Sequence, residues 1–519
     1  MLSKITSCGI IGIEGFIVAV ETDISNGLPA FDIVGLGGIA VKEAKERVRA
    51  ALKNSGFEFP LGRITVNLAP ASLKKEGSTY DLPIALGILA ATGQFPLREY
   101  KDSMFVGELS LDGQIKRING ALNAAACACE SGIKNLFLPI QNADEAAVIN
   151  EVNVLPAESI KEIFDHLTNR KAIDVHQVDV DTLFGDSHSE YEDFSDVKGQ
   201  ANVKRALEIA ASGGHNCLMI GSPGCGKTML AKRLPGILPD ITFEESLEVT
   251  KIHSIAGILP EGASLVTKRP FRSPHHTISN VSLTGGGKIP KPGEISLAHY
   301  GVLFLDEFPE FSKSALEVMR QPLEDGNVTI SRINASLTYP SVFLLLAAMN
   351  PCKCGYLLDE SRGCICSQHE IDNYMGKISG PLLDRIDIQI EVPNIKYEDL
   401  QSIKVEEASA EIKKRVNEAR KIQLERYKNF KIFSNAQLPP SLIIEFCQLD
   451  SKGKKILESA FKKLSLSARA YNRILKVSRT IADMEKSKNI NERHIAEAIQ
   501  YRSLDRKFQG SRVKYGGSL

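Results

Sequence analysis

The sequence contains no run of 18 uncharged apolar residues, which removes a membrane-spanning helix from consideration. Its first residues, MLSKITSCGIIGIEG, carry one lysine and then a glycine-broken apolar stretch. They lack the uninterrupted apolar segment and small-residue cleavage site of a secretory signal. A cytoplasmic protein with no membrane partner is therefore expected. Ten cysteines in 519 residues are too few for a disulfide framework, and a cytosolic chain keeps its thiols reduced. There is no internal repeat. There is also no net charge, since 63 basic residues meet 63 acidic ones. That balance conceals an asymmetry. Residues 141–200 hold 14 acidic and 4 basic side chains, whereas residues 401–519 hold 26 basic and 13 acidic. A basic carboxy-terminal region is a candidate footprint for nucleic acid, with solvated helix faces as the plainer alternative.

The length accommodates about three or four domains, and 43% apolar residues suffice for sizeable cores. Residues 1–170 alternate strand-like segments (FIVAVETDI, RITVNLA, MFVGELSL, NLFLPI) with helix-like ones (VKEAKERVRAALKNSG, DLPIALGILAATG), which predicts an α/β domain with its own core. Residues 171–196 are acidic and aperiodic and read as a linker. A second α/β block follows over 197–395, with strands expected in NCLMI, VLFLD and SVFLLLAAMN. From 396 to 507 the chain turns basic and helical in periodicity. Residues 508–519 read as a disordered tail.

Residues 221–228, GSPGCGKT, match the G-x-x-x-x-G-K-[ST] phosphate loop, between an apolar strand and a helix. Gly221, Gly224 and Gly226 let the backbone curl, with Ser222, Pro223 and Cys225 completing the loop, so that its N–H groups face phosphates at a helix amino terminus. Lys227 is expected to neutralise the β- and γ-phosphates of ATP, and Thr228 to hold Mg²⁺. About eighty residues on, YGVLFLDEF ends a hydrophobic strand in Asp306 and Glu307. Asp306 is expected on Mg²⁺ and Glu307 as the base that activates water. A third strand ends at Asn350, whose amide suits orienting that water; an Asn before Pro is otherwise a turn residue. Arg385, in SGPLLDRIDIQIEVP, fits either a surface ion pair or an arginine that reaches a neighbouring subunit's nucleotide in a ring motor. Arg469 and Arg473 share one helix face. Either could touch the γ-phosphate, with Arg469 preferred.

Residues 352–366, CKCGYLLDESRGCIC, supply Cys352, Cys354, Cys364 and Cys366 within fifteen positions. Four thiols in two pairs suit a structural Zn²⁺, although C-x-C is tighter than the usual spacing. The alternative is a loop of reduced thiols. His275-His276 resembles a metal pair but its neighbours do not share a face, so a structural or DNA-contacting role is expected.

With these residues in view, the chain resembles the magnesium-chelatase-like AAA+ proteins of the ComM/YifB group. The resemblance runs through GLPAFDIVGLG, KEAKERVRAALKNSGFEFP, RITVNLAPASLKKEGSTYDLPIALGILAA, RPFRSPHHTISNVSLTGGG, PKPGEISLAHYGVLFLDEFPEF and NPCKCG. It implies a P-loop core with a carboxy-terminal helical lid, assembled as a homohexameric ring. It also implies ATP-driven branch migration of DNA during natural transformation, on branched, single- or double-stranded DNA and alongside recombination proteins. In that branch two insertions project towards the pore, which makes Lys288, Lys291 and Arg332 candidate DNA contacts. The stretch GELSLDGQIKRINGALNAAACACESGIKNLFLPI resembles the peptidase domain of Lon proteases. There the nucleophile position falls near Asp81 and the lysine position at Leu122, with Ser78 lacking a lysine partner, so a non-proteolytic module is expected. Two other readings stay open: a protein-remodelling ATPase acting on a partner protein, and an ATP-dependent switch that binds DNA without moving along it.

Overall fold

The computed structural model describes residues 2–95, 101–184, 191–287, 290–332, 335–359, 362–395, 397–401, 406–430, 432–464 and 466–502. The tail 508–519 lies outside them, as do residues 185–190 of the acidic segment.

The first α/β unit is a seven-stranded mixed sheet. Its order across the sheet is 30–34, 63–69, 14–25, 2–11, 103–105, 135–139 and 153–157. The long hairpin Leu2–Ile11 with Glu14–Ser25 is antiparallel, and the last three strands run parallel to Leu2–Ile11 and to one another. Helix Asp81–Ala91 is buried over its whole length. That explains why DLPIALGILAA shows no polar face: it is enclosed on every side. Asp81, at its start, is fully buried and charge-paired with Arg47. Leu2–Ile11 and Asn153–Ala157 were not expected as strands. MFVGELSL, expected as one strand, divides into Ser103–Phe105 in the main sheet and Glu108–Leu109 in a separate two-stranded ribbon.

The second unit is built on a five-stranded sheet in which all neighbouring strands are parallel: 271–272, 302–305, 344–349, 217–220 and 388–391. Three of these, Cys217–Ile220, Val302–Leu305 and Leu344–Met349, are apolar runs with no alternation, as expected of strands covered on both faces. Two antiparallel hairpins interrupt the unit, Gly285–Gly286 with Lys291–Pro292 and Asn327–Arg332 with Ala335–Pro340. They touch, since Tyr339 Oη donates to the Pro290 carbonyl at 2.8 Å.

The carboxy-terminal helices 409–426, 440–446, 451–464, 468–484 and 492–500 complete the chain. Val416, Ile474 and Ile481 are buried in the same apolar cluster as Val203 and Leu207 of the core helix Ala201–Gly213. Phe194, inside the acidic segment, is buried in that cluster too. The first unit meets the core through Glu145, which accepts from the Leu122 N–H and from Ser254, and through Arg117, which donates to the Leu259 carbonyl.

One buried carboxylate fastens the helical region to the sheet. Asp387 precedes strand Ile388–Glu391 and accepts from the Asn216 N–H at 3.1 Å. It pairs with Arg473 of helix Ala468–Met484 and lies 3.4 Å from His215 Nδ1. Burial opposes its charge, but Arg473 and then His215 hold the carboxyl far below the usual range. A depressed carboxyl stabilises the fold above the unfolded value of about 4 and loses that contribution as the pH falls below it. Asp387→Ala should cost about 3–5 kcal/mol, because it strands a part-buried arginine, the buried His215 and a backbone N–H. Urea unfolding at neutral pH measures this, and the difference from wild type should shrink towards pH 3.

Candidate nucleotide site

The phosphate loop leaves the carboxyl end of strand Cys217–Ile220 and enters helix Lys227–Arg233. Gly224 and Gly226 have φ of 80° and 93°, in the left-handed region that the curl requires. Lys227 is largely buried. Its Nζ donates to the carbonyls of Gly221 and Ser222 at 2.7 and 2.9 Å and to Asn350 Oδ1 at 3.2 Å. The ammonium thus sits within the loop it serves. Thr228 Oγ1 lies 2.6 Å from Asp306 Oδ2, joining the start of the helix to the end of strand Val302–Leu305. Two hard oxygens at the mouth of a loop of inward N–H groups fit Mg²⁺ and a triphosphate.

Glu307 has a φ of 52°, an uncommon conformation for a non-glycine residue. Its Oε2 lies 3.1 Å from Nδ1 of His276. The pairing of strands explains this meeting. Phe271 aligns with Val302 and Arg272 with Leu303, so the segments that follow the two strands leave the sheet side by side. The sequence gives no sign of it, because only that register brings the two residues together. The histidine pair is therefore divided: His275 bonds within its own turn to Thr277, while His276 faces Glu307.

The arginines lie elsewhere. Arg385 and Asp387 precede strand Ile388–Glu391, and together with Asn216, Gly301 and Leu344 they line a cleft of about 640 Å³ at the amino ends of four parallel strands. Arg469 and Arg473 line the same cleft. Arg385 is buried, pairs with Glu324, donates to the Pro381 carbonyl at 2.7 Å, and keeps its Nε without a hydrogen-bond partner. Arg469, half-exposed, shares Glu324 at 3.6 Å. The six-residue strand Leu344–Met349 separates this edge from Asn350 by roughly 17 Å. Arg469 and Arg473, expected to touch a γ-phosphate, thus stand in this chain at the edge opposite the phosphate loop, and Arg473 pairs with Asp387.

Three family models cover most of the chain. Magnesium chelatase, subunit ChlI, matches residues 193–400. Subunit ChlI of Mg-chelatase matches 20–142, and the ChlI C-terminal model matches 406–502. Competence protein ComM of Haemophilus influenzae is 43% identical over 512 residues, covering 98% of this chain and 99% of its own. Uncharacterized protein YifB of Escherichia coli is 43% identical over 510 residues, with 97% and 98% covered. The chain belongs to the ComM/YifB family of magnesium-chelatase-like AAA+ proteins. A Lon protease of Geobacter metallireducens matches at 24% over 163 residues, 29% of this chain and 20% of its own.

Within this AAA+ frame the fold is a P-loop core with a carboxy-terminal helical domain, preceded by a Lon-like α/β domain. In that first domain the position expected for a nucleophile is Asp81, paired with Arg47, and the position expected for a lysine is Leu122, buried beside Val148 and Leu265. Ser78 donates to Glu108. Of the three candidate DNA contacts, Lys291 is exposed on its short hairpin. Lys288 lies outside the described residues, as does the side chain of Arg332. Cys352, Cys354, Cys364 and Cys366 come together, with their sulfurs all within 4.8 Å of one another. No described helix is long and apolar enough to cross a membrane.

The site makes two separable demands on substitution. Lys227→Ala should abolish binding of a fluorescent ATP analogue. Glu307→Gln should retain that binding while turnover falls about 10²–10⁴-fold, the usual contribution of a general base. Equilibrium binding and phosphate-release assays on the same preparations distinguish the two losses.

Proposed function

We propose that this protein is an ATP-driven DNA motor that works as a homohexameric ring and moves branched DNA during recombination of incoming DNA. The observation that carries the reading is the separation of the site along one parallel sheet. Lys227, Thr228, Asp306, Glu307 and Asn350 gather at the carboxyl edge, and Arg385 with Arg469 at the amino edge. For a nucleotide at the first edge, Arg385, Arg469 and Arg473 of the same chain stand at the other edge. A second copy, turned so that its amino edge meets that nucleotide, supplies an arginine.

In the proposed cycle Lys227 binds the β- and γ-phosphates, and Thr228 and Asp306 would hold Mg²⁺, which when bound would supply charge neutralisation on the phosphates. Asn350 orients the attacking water and Glu307 takes its proton. Arg385, released from Glu324, stabilises the charge that develops on the neighbour's phosphates. DNA is favoured as the track by the basic carboxy-terminal region and by the adjoining hairpins that carry Lys288, Lys291 and Arg332. The name of the ComM relative supports a role in competence, hence in natural transformation with recombination proteins as partners. The four thiols are proposed to hold one Zn²⁺, and the first domain to have no protease activity. The family name keeps one alternative in view, a protein-remodelling ATPase like a magnesium-chelatase subunit.

Two measurements test this reading. Arg385→Ala and Glu307→Gln should each be inactive alone, yet mixed rings should recover hydrolysis, since an intact Arg385 meets an intact Glu307 at some interfaces. Mixed rings that form without recovering activity would sink the shared site. DNA affinity should fall steeply with salt, and Lys288→Ala with Lys291→Ala should flatten the logarithmic slope by about 1.8, at ~0.9 per phosphate contact. ATPase stimulated by a partner protein and indifferent to branched DNA would favour the alternative.

A further inference from the structure

Cysteine-rich turns are usually regarded as local staples, but this one lies against the nucleotide site. Cys352 is buried and follows Asn350 by two residues. Its turn is closed by the Gly355 N–H bonding to the Cys352 carbonyl at 3.0 Å. Gly355 has a φ of 88° and packs directly on the phosphate loop: a β-carbon at this position would stand 2.5 Å from Cδ and 2.7 Å from Cγ of Pro223. At the other end of the segment, Cys366 leads into Ser367, which caps helix Gln368–Met375. Tyr374 of that helix lies beside the backbone of Asn350. The segment therefore leaves the γ-phosphate edge, touches the phosphate loop and returns to its starting point.

The four sulfurs hold this circuit closed. Cys352 Sγ lies 3.3 Å from Cys354 Sγ and 3.7 Å from Cys364 Sγ, and Cys354 and Cys364 are 3.6 Å apart. Tetrahedral Zn–S bonds of ~2.3 Å require sulfurs about 3.8 Å apart. Backbone N–H groups also point at sulfur, from Cys354 to Cys366 Sγ and from Cys366 to Cys364 Sγ, both at 3.4 Å. Such donors stabilise thiolates rather than thiols.

We infer that the four-cysteine turn, with Zn²⁺ bound, is a brace that fixes Gly355 against Pro223 and thereby sets the affinity of the phosphate loop for ATP. The inference rests on the zinc reading above and adds to it a mechanical link from metal to nucleotide. Without the ion, the loop between Cys354 and Cys364 regains its chain freedom, and the contact on Pro223 is no longer enforced.

The test keeps metal and contact apart. Purified full-length protein is assayed for zinc, then stripped with a mercurial thiol reagent in the presence of a chromogenic chelator, reduced again, and titrated with a fluorescent ATP analogue. One zinc per chain is expected. Its removal should raise Kd about tenfold with little change in circular dichroism, and readded Zn²⁺ should restore the value. Gly355→Ala should keep its zinc yet lose affinity to a similar degree. In a Pro223→Ala background the same change should cost clearly less, because the carbons it strikes are gone. A native protein without zinc overturns the metal reading. A stripped protein that binds the analogue unchanged, or a Gly355→Ala penalty identical in both backgrounds, overturns the brace.

Discussion

Everything at the nucleotide site depends on the direction of five strands. In a parallel sheet every strand presents its carboxyl end to the same edge, so the loops that follow the strands share one rim and those that precede them share the other. Lys227, Asp306 and Asn350 each come one to seven residues after a strand, and Arg385 comes three residues before one. No side-chain rearrangement moves a residue from one rim to the other across a strand of six residues. The proposed ring is thus a consequence of sheet polarity: the arginines are made useful by a second copy.

The helical region reinforces that division. Packed against helix Ala201–Gly213, it directs its basic helix Ala468–Met484 towards the amino rim and fastens it there through Asp387. The paired charges are buried, so breaking them is costly. Glu324 links the elements further, since it meets both Arg385 of the core and Arg469 of the helical region. Freeing these arginines requires Glu324 to give up its partners.

Three further segments adjoin the nucleotide site or one another. His276 precedes the first hairpin and touches Glu307, the second hairpin contacts the first through Tyr339, and the cysteine turn rests on Pro223. His276 and the cysteine turn thereby touch the nucleotide site directly, and the second hairpin touches only the first.

Some of this was legible in the sequence, and the reason lies in distance along the chain. The phosphate loop, the Asp306-Glu307 strand end and the cysteine cluster are local patterns, set by glycines, apolar runs and spacing within about fifteen residues. The helix from Ile39 to Asn54 and the strand Arg63–Ala69 could be read in the same way, from periodicity. Helix Asp81–Ala91 was legible as a helix although it lacks a polar face. The strands Leu2–Ile11 and Asn153–Ala157 were not, because pairing with distant partners defines them. Tertiary structure alone decided that Arg469 and Arg473 stand at the rim away from their own phosphate loop, that His276 meets Glu307, and that Gly355 presses on Pro223. Each of these depends on strand register or on the face against which a helix packs, and burial of apolar surface across the whole domain sets both.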